Sequence, residues 1–371
     1  MPVSCKSQAQ PSCSDRGYPL KSIPTKDITM KHKSIGTAVI TVLMTLLLIT
    51  PGLAQEKIRL IGSGASFPFP LYSVWFKDFS RATKNVTVDY QAKGSGAGVQ
   101  DFINHTVDFA ASDAAMTAEE IAKVEGGVVL LPMTAGVIVL TYNLPGIKGL
   151  KLSRDVYPDI FLGKITKWSD PRLTKANPDL KLPDLPITVV RRSDSSGTTF
   201  VFTKHLSAIS EAWRNGPDAG TTVQWPRSDK IVAAPKNDGV TATIKQTPGA
   251  IGYIEYGYAL LTKADTALLQ NKTGNYIAAG AESGKVALAS AILPANLIVW
   301  LEDPAGAEAY PITTFTWMLF YKKQDPNKAE VLRNLVEYCL TEGQKLSERM
   351  GYIPLPDNVI ERIRAVSKDI Q

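Results

Sequence analysis

The sequence predicts an α/β protein of two lobes, and three observations predict it. At 371 residues the chain is too long for one ordinary core and fits about two domains. Short β-rich runs alternate with helical patterns across small-residue loops, the rhythm of parallel sheets covered by helices. Two stretches, Pro132-Met133-Thr134-Ala135-Gly136 and Tyr310-Pro311-Ile312-Thr313, interrupt apolar runs where the chain can leave one lobe and return to it. Two such crossovers make a hinge, with a cleft between the lobes that can close on a ligand. The expected organisation is residues 55–135 and 311–371 as a discontinuous first lobe and 136–310 as the second.

Residues 1–54 are expected to be an upstream extension followed by a cleaved secretory signal. Met30-Lys31-His32-Lys33 is a short cationic start, 35–49 is an uncharged apolar run, and Pro51-Gly52-Leu53-Ala54 puts small residues around a cleavage point. The run is shorter than the roughly 20 residues that a membrane span needs. Met30 therefore reads as the true start. Cys5 and Cys13 leave with the leader, so Cys339 has no partner for an internal disulfide. No Cys follows the apolar run at a lipidation site, which points to a soluble product in a periplasm, without stable membrane insertion. The leader also explains much of the net charge of +6. Without it 35 basic and 33 acidic residues remain, with no basic run, and this excludes a nucleic-acid footprint. A hydrophobic share of 44% and a charged share of 20% exclude wholesale disorder and a multi-span membrane protein.

Along the remaining chain, 57–61, 86–91 and 107–111 read as strands, each followed by a loop and a helix candidate. Residues 128–131 and 137–142 are apolar runs flanking the first interruption. The second lobe holds a helix around 155–162 and strands at 187–190 and 250–253. A strand at 315–321 and helices at 327–341 and 357–366 close the chain. Ligands of such sheets lie beyond the carboxyl ends of the strands, so the loops there are where chemistry belongs.

Four of those loops share one character: Gly62-Ser63-Gly64-Ala65-Ser66-Phe67, Gly94-Ser95-Gly96-Ala97-Gly98, Ser112-Asp113-Ala114, and 191–199, Arg-Arg-Ser-Asp-Ser-Ser-Gly-Thr-Thr. Small residues let the backbone approach a ligand closely, and the free amides of a helix's first turn carry partial positive charge. Hydroxyls of Ser66, Ser95, Ser196 and Thr198 add donors. Taken singly each loop is an ordinary turn with an N-cap. Together they describe a site that holds an oxyanion mainly with neutral dipoles. In the fourth loop Arg192 offers a fork of donors, and Asp194 can hold that fork by a salt bridge. Asp113 decides the ligand: a carboxylate beside a bound dianion repels it unless the ligand brings a proton to donate. Phosphate has such a proton at neutral pH and sulfate does not. The alternative use of Asp113, as a cap for a helix beginning near Thr117 or as a solvated side chain, stays open at this point.

Neither Gly-rich loop fits a nucleotide fingerprint, and no Gly-Lys-Ser/Thr occurs. A serine hydrolase or phosphatase with Ser196 as nucleophile would need a base. His32 lies in the leader, while His105 and His205 fall in helical patterns where a structural role is expected, and no Gly-x-Ser-x-Gly elbow is present. No cluster at metal spacing is found, so neither metal nor cofactor is expected. Another oxyanion, such as sulfate, molybdate or a phosphorylated metabolite, is the closer rival.

At these residues the sequence resembles the periplasmic phosphate-binding proteins of ABC-type phosphate transport systems. GSGASFPFPLY, VDYQAKGSGAGV, VDFAASDA, VVRRSDSSGTTFVFT, LGKITKWSDP and PGAIGYIEYGYA carry the resemblance, which extends over about 58–365. It implies a type II periplasmic-binding-protein fold, two lobes joined by a two-strand hinge. It also implies a non-catalytic, monomeric protein that binds inorganic phosphate with high affinity and delivers it to membrane permease subunits. The implied phosphate ligands are Ala65, Ser66, Phe67, Ser95, Asp113, Arg192, Ser196, Gly197 and Thr198, with Asp194 pairing the arginine. The chain departs from the commonest family pattern in places. Ser66 stands where Thr is usual, Gly96-Ala97 replaces a Ser-Gly pair, and Ser195 stands where Gly is common. The segment 264–298 matches least.

Overall fold

The computed structural model describes residues 57–371; the leader and extension expected at 1–54 lie outside the described residues. Twelve strands are formed. They are β1 (Ile58–Gly64), β2 (Val86–Ala92), β3 (Phe109–Ser112), β4 (Val128–Tyr142), β5 (Lys151–Leu152), β6 (Thr188–Arg192), β7 (Ile231–Ala234), β8 (Ala250–Glu255), β9 (Asp265–Thr266), β10 (Leu268–Gln270), β11 (Tyr276–Ile277) and β12 (Thr313–Tyr321). Nine belong to one sheet of order β2-β1-β3-β12-β4-β8-β6-β7, with β9 also on β4, and β11-β10-β5 form a small second sheet. Helices connect the parallel strands of both flanks, as the alternating pattern predicts.

The centre of the sheet departs from that pattern. β1 is parallel to β2 and β3, and β6 is parallel to β7 and β8, but β12 is antiparallel to β3 and β4, and β4 is antiparallel to β8. β4 is also one strand of 15 residues, so the expected interruption at 132–136 is not a break. Its first part pairs with β12 and its last five residues pair with β8. Pro132 has no N–H to give to a ladder, and the chain absorbs it with a bulge: Thr316 faces Thr134 while Trp317 faces Pro132, leaving Met133 as the extra residue. The proline that marked the expected interruption is thus compatible with a strand because the strand bulges there.

Each flank has its own aromatic centre within a continuous core. Under β1 to β3, the rings of Tyr72, Phe76, Tyr90 and Phe109 pack edge to face or stacked at 5.2–6.1 Å. Under β6 to β8, Phe202 stacks on Tyr253 at 4.4 Å and Trp225 covers the other side of Tyr253 at 6.0 Å. Each buried ring contributes about 2–3 kcal/mol of transfer free energy, so the two flanks hold their loops on rigid supports. Cys339 lies buried in the core. Among the described residues no helix is long and apolar enough to cross a membrane.

Candidate functional site

The four polar loops meet where the two flanks of the sheet face each other. The first leaves β1 and turns through Ala65–Pro68 into the helix Phe69–Ala82. The second is the N-terminus of the helix Ser95–Ile103, entered through Gly94 at φ 99, a backbone conformation that favours glycine. The third follows β3. The fourth follows β6 and leads into the helix Gly197–Ile209, whose N-cap Ser196 accepts a hydrogen bond from the N–H of Thr199 at 3.0 Å. A Cβ placed on Gly197 would stand 2.5 Å from Ser95 Oγ and 2.7 Å from Asp113 Cβ. Only a glycine lets these loops close to this distance, so residues almost 100 positions apart share one wall. Ser66, Ser95, Asp113, Arg192, Ser196 and Thr198 are all buried there.

The donors face inward. Among the described residues the N–H groups of Ser66 and Phe67 find no acceptor, and those of Gly197 and Thr198 precede any intrahelical partner. Ala65 differs from its neighbours. Its N–H is given to Ala111 O at 2.8 Å and its carbonyl accepts from Tyr90 at 2.8 Å, so its backbone is committed to the scaffold. The Ser66 carbonyl is likewise held by the hydroxyl of Tyr258 at 2.6 Å, so the Ala65 and Ser66 carbonyls fix the peptides whose opposite edges are the N–H groups of Ser66 and Phe67; Tyr352 holds the Phe67 carbonyl, ahead of Pro68, at 2.8 Å.

Arg192 is clamped in the way its spacing from Asp194 suggested. Nε donates to Asp194 Oδ1 at 2.8 Å and Nη2 to Oδ2, leaving Nη1 to reach Thr198 Oγ1 at 3.3 Å. Asp194 is fixed in turn by the N–H of Lys236 at 2.9 Å, and Lys236 takes the left-handed conformation, φ 57, to present it. Burial pushes the Asp194 carboxyl up, but the hydrogen bonds and charge of Arg192 outweigh it and hold the group below its ordinary range.

Asp113 is not a helix cap. Thr117 caps the helix Ala118–Ala122 with a complete capping box, and Asp113 is turned inward at 1% exposure. Its Oδ1 accepts from Thr316 Oγ1 at 2.8 Å, and Thr198 Oγ1 lies 3.4 Å from Oδ2. Burial pushes this carboxyl up to about 7, against the hydrogen bond from Thr316, the charge of Arg192 and the bonds from Thr198 and Ser95. One acceptor thus sits among many donors, and it is poised to share a proton near neutral pH.

Four residues of the site were not singled out from the sequence, although Glu255 and Tyr258 lie in its PGAIGYIEYGYA stretch. Asn237 donates from Nδ2 to Ser66 Oγ at 3.0 Å and Thr198 Oγ1 at 3.1 Å, Thr316 orients Asp113, Tyr258 holds Ser66, and Glu255 lies fully buried at the end of β8. Burial pushes Glu255 well above the ordinary carboxyl range, and its Oε2 has no partner among the described residues. Lys236-Asn237-Asp238-Gly239 reads as a turn and Thr316 lies in an apolar run, so composition alone carried no signal for either. The expected structural use of histidine agrees with the contacts of His205, which bridges Tyr157 and the carbonyl of Glu302 at 2.7 Å each and is pushed by burial down to about 4. His105 lies just past its helix at φ 54 and stacks on Tyr321. Among the described residues no group of three or more His, Cys, Asp or Glu could hold a metal.

A family model described as a PBP superfamily domain matches residues 50–342. The phosphate-binding protein PstS of Xylella fastidiosa is 37% identical over 325 residues, 85% of this chain and 87% of that one. PstS of Pasteurella multocida is 37% identical over 328 residues, 87% and 94% of the two chains. The chain belongs to the phosphate-binding protein family of the PBP superfamily. Two solved structures share the fold. A periplasmic phosphate-binding protein (PfluDING) bound with phosphate matches at TM-score 0.71 and 22% identity over 83% of this chain and 93% of its own. A phosphate-binding protein from Stenotrophomonas maltophilia matches at 0.68 and 20% over the same shares.

Within this family two departures of the present chain explain each other. A Cβ on Gly96 would lie 2.1 Å from Ser195 Oγ and 2.5 Å from Ser195 Cβ, and the N–H of Gly96 already donates to Ser195 O at 3.1 Å. Only one side chain fits at this crossing between the second and fourth loops. In this chain the first position is glycine and the second carries the serine, the reverse of the arrangement that the resemblance implies is usual.

Proposed function

We propose that this chain captures inorganic phosphate and delivers it to the membrane permease of an ABC phosphate importer. The reading adds no chemistry to the ligand: the protein binds, encloses and releases, and it is not an enzyme. Capture would occur between a first lobe of residues 55–135 and 311–371 and a second of 136–310, in the periplasm after removal of the leader, by a monomer. The first lobe would bring the N–H groups of Ser66 and Phe67, the hydroxyls of Ser66 and Ser95, and Asp113. The second would bring Arg192, Ser196, Gly197 and Thr198. Ala65 would contribute through its place in the loop, because its own N–H is engaged.

The observation that carries the ligand choice is the inward carboxyl of Asp113 among hydroxyls, amides and a guanidinium. A tetrahedral anion with three acceptor oxygens and one proton satisfies all of them. A proton-less anion must draw that proton from Asp113 itself; once the carboxyl ionises above about pH 7, one buried acceptor faces another and the cost grows with pH. The names and bound phosphate of the relatives support the same choice. Titration calorimetry at about pH 9, where the Asp113 carboxyl is ionised, tests it: phosphate should bind at least about 100-fold more tightly than sulfate, and Asp113→Asn should narrow that ratio. Equal affinities for the two anions would sink the reading.

A further inference from the structure

We infer that Asn237 is a positioning residue that fixes the hydroxyls of Ser66 and Thr198 as obligate hydrogen-bond donors, and so sets which oxygens of the ligand must be unprotonated. The inference rests on the phosphate reading above and specifies how the pocket imposes it.

Asn237 lies at the start of the helix Lys236–Gln246 and is fully buried. Its Oδ1 accepts the N–H of Glu255 at 3.0 Å. A backbone N–H can only donate, so this bond decides which end of the amide is oxygen and turns both hydrogens of Nδ2 the other way. One goes to Ser66 Oγ at 3.0 Å and the other to Thr198 Oγ1 at 3.1 Å. Ser66 Oγ also receives the N–H of Asn237 at 3.2 Å, and Thr198 Oγ1 also receives Arg192 Nη1 at 3.3 Å.

A hydroxyl has two lone pairs and one hydrogen. At both residues the lone pairs are filled, so the hydrogen is all that remains to offer. Neither group can accept a proton from a ligand. Thr198 can turn its hydrogen to Asp113 Oδ2 at 3.4 Å or to a ligand; the hydroxyls of Ser95 and Ser196 each keep a lone pair, but Asp113 is the one carboxyl on that wall, and the ligand's single proton is directed to it. Asn237 also joins the flanks: Ser66 follows β1, while Asn237 and Thr198 follow β7 and β6.

Asn237→Asp separates this role from simple packing. The carboxylate has nearly the same shape and can still accept from Glu255, but it cannot donate. The two hydroxyls would turn toward it and away from the ligand. Phosphate calorimetry on the purified protein and its variants, with thermal midpoints alongside, is the test. Asn237→Ala should weaken binding about tenfold and Asn237→Asp about 100-fold or more, at comparable midpoints. Charge repulsion alone would give the Asp variant the same penalty in any background. Reversed hydroxyls would give a penalty at least about fivefold smaller once Thr198→Val has removed one of them. An Asp variant no weaker than the Ala variant, or an undiminished penalty in the Thr198→Val background, overturns the inference. If Asn237→Asp does not fold, Asn237→Ser, which donates one bond where the amide donates two, takes its place, and phosphate affinity within about threefold of the parent overturns the inference. A parent protein that binds no phosphate overturns the phosphate reading and this inference together, whereas tight binding by parent and variants alike overturns this inference alone.

Discussion

At the scale of single residues, the proposed selectivity rests on the contrast between Asp113 and its surroundings. Its carboxyl is held near 7 by burial, so the proton needed between Asp113 and an anion can come from either side. Sulfate brings none and must meet the protonated form. That form is fully populated below about 7 and falls tenfold for each further unit of pH. Sulfate affinity should therefore be flat in acid and drop about tenfold per unit above 7, while phosphate, which carries its own proton, changes far less. Calorimetric titrations of both anions across this range check it, and parallel curves would remove Asp113 from the selectivity account. Asp113 was half legible in the sequence: a carboxylate in a short polar loop after an apolar run fits an inward role or a helix cap equally, and only the structure turns it inward. Asn237 was not, because Asn before Asp-Gly is what any turn contains.

At the scale of elements, the proposed site is built from helix starts and strand ends, and their mutual fit is as specific as any side chain. The Gly96 and Ser195 loops touch with room for one hydroxymethyl group between them. Gly96→Ser should force the loops apart at a typical overpacking cost of about 1–3 kcal/mol, weakening phosphate binding by about 10- to 100-fold. Adding Ser195→Gly should restore it to within about threefold, since the double variant only moves the side chain across the gap. A double variant as weak as the single one would show that the two positions are not coupled. The loops themselves were readable from Gly, Ser and Thr clusters after apolar runs. Their pairing was not, because contact between residues 96 and 195 depends on how the flanks of the sheet face each other. The reading of 132–136 as an interruption failed for a related reason: a proline in a strand is tolerated wherever a bulge frees its position from the ladder, and a bulge leaves no trace in composition.

At the scale of the whole molecule, one strand serves both flanks, and the buried Glu255 lies at the crossing, opposite Ile138 of β4. Burial raises its carboxyl, so the folded protein keeps a proton there that the unfolded chain releases near the ordinary carboxyl value. Folding is then progressively disfavoured as pH rises above that value, until the folded form also ionises. Glu255→Gln does not titrate. The thermal midpoints of parent and variant should be close at about pH 5 and separate in favour of the variant by about pH 8; a constant gap would mean that Glu255 is ionised in the fold. The parallel, helix-connected flanks were legible from the alternation of strands and helices, whereas the antiparallel centre was not, because direction within a sheet is set by which strands become neighbours. Finally, the clamping of Arg192 by Asp194 leaves an arriving dianion no surplus positive charge to fall toward. Long-range attraction is weak and dissolved ions have little to screen. The proposed capture should therefore run at much the same pace in dilute water and in brine, which phosphate association rates measured across salt concentrations check.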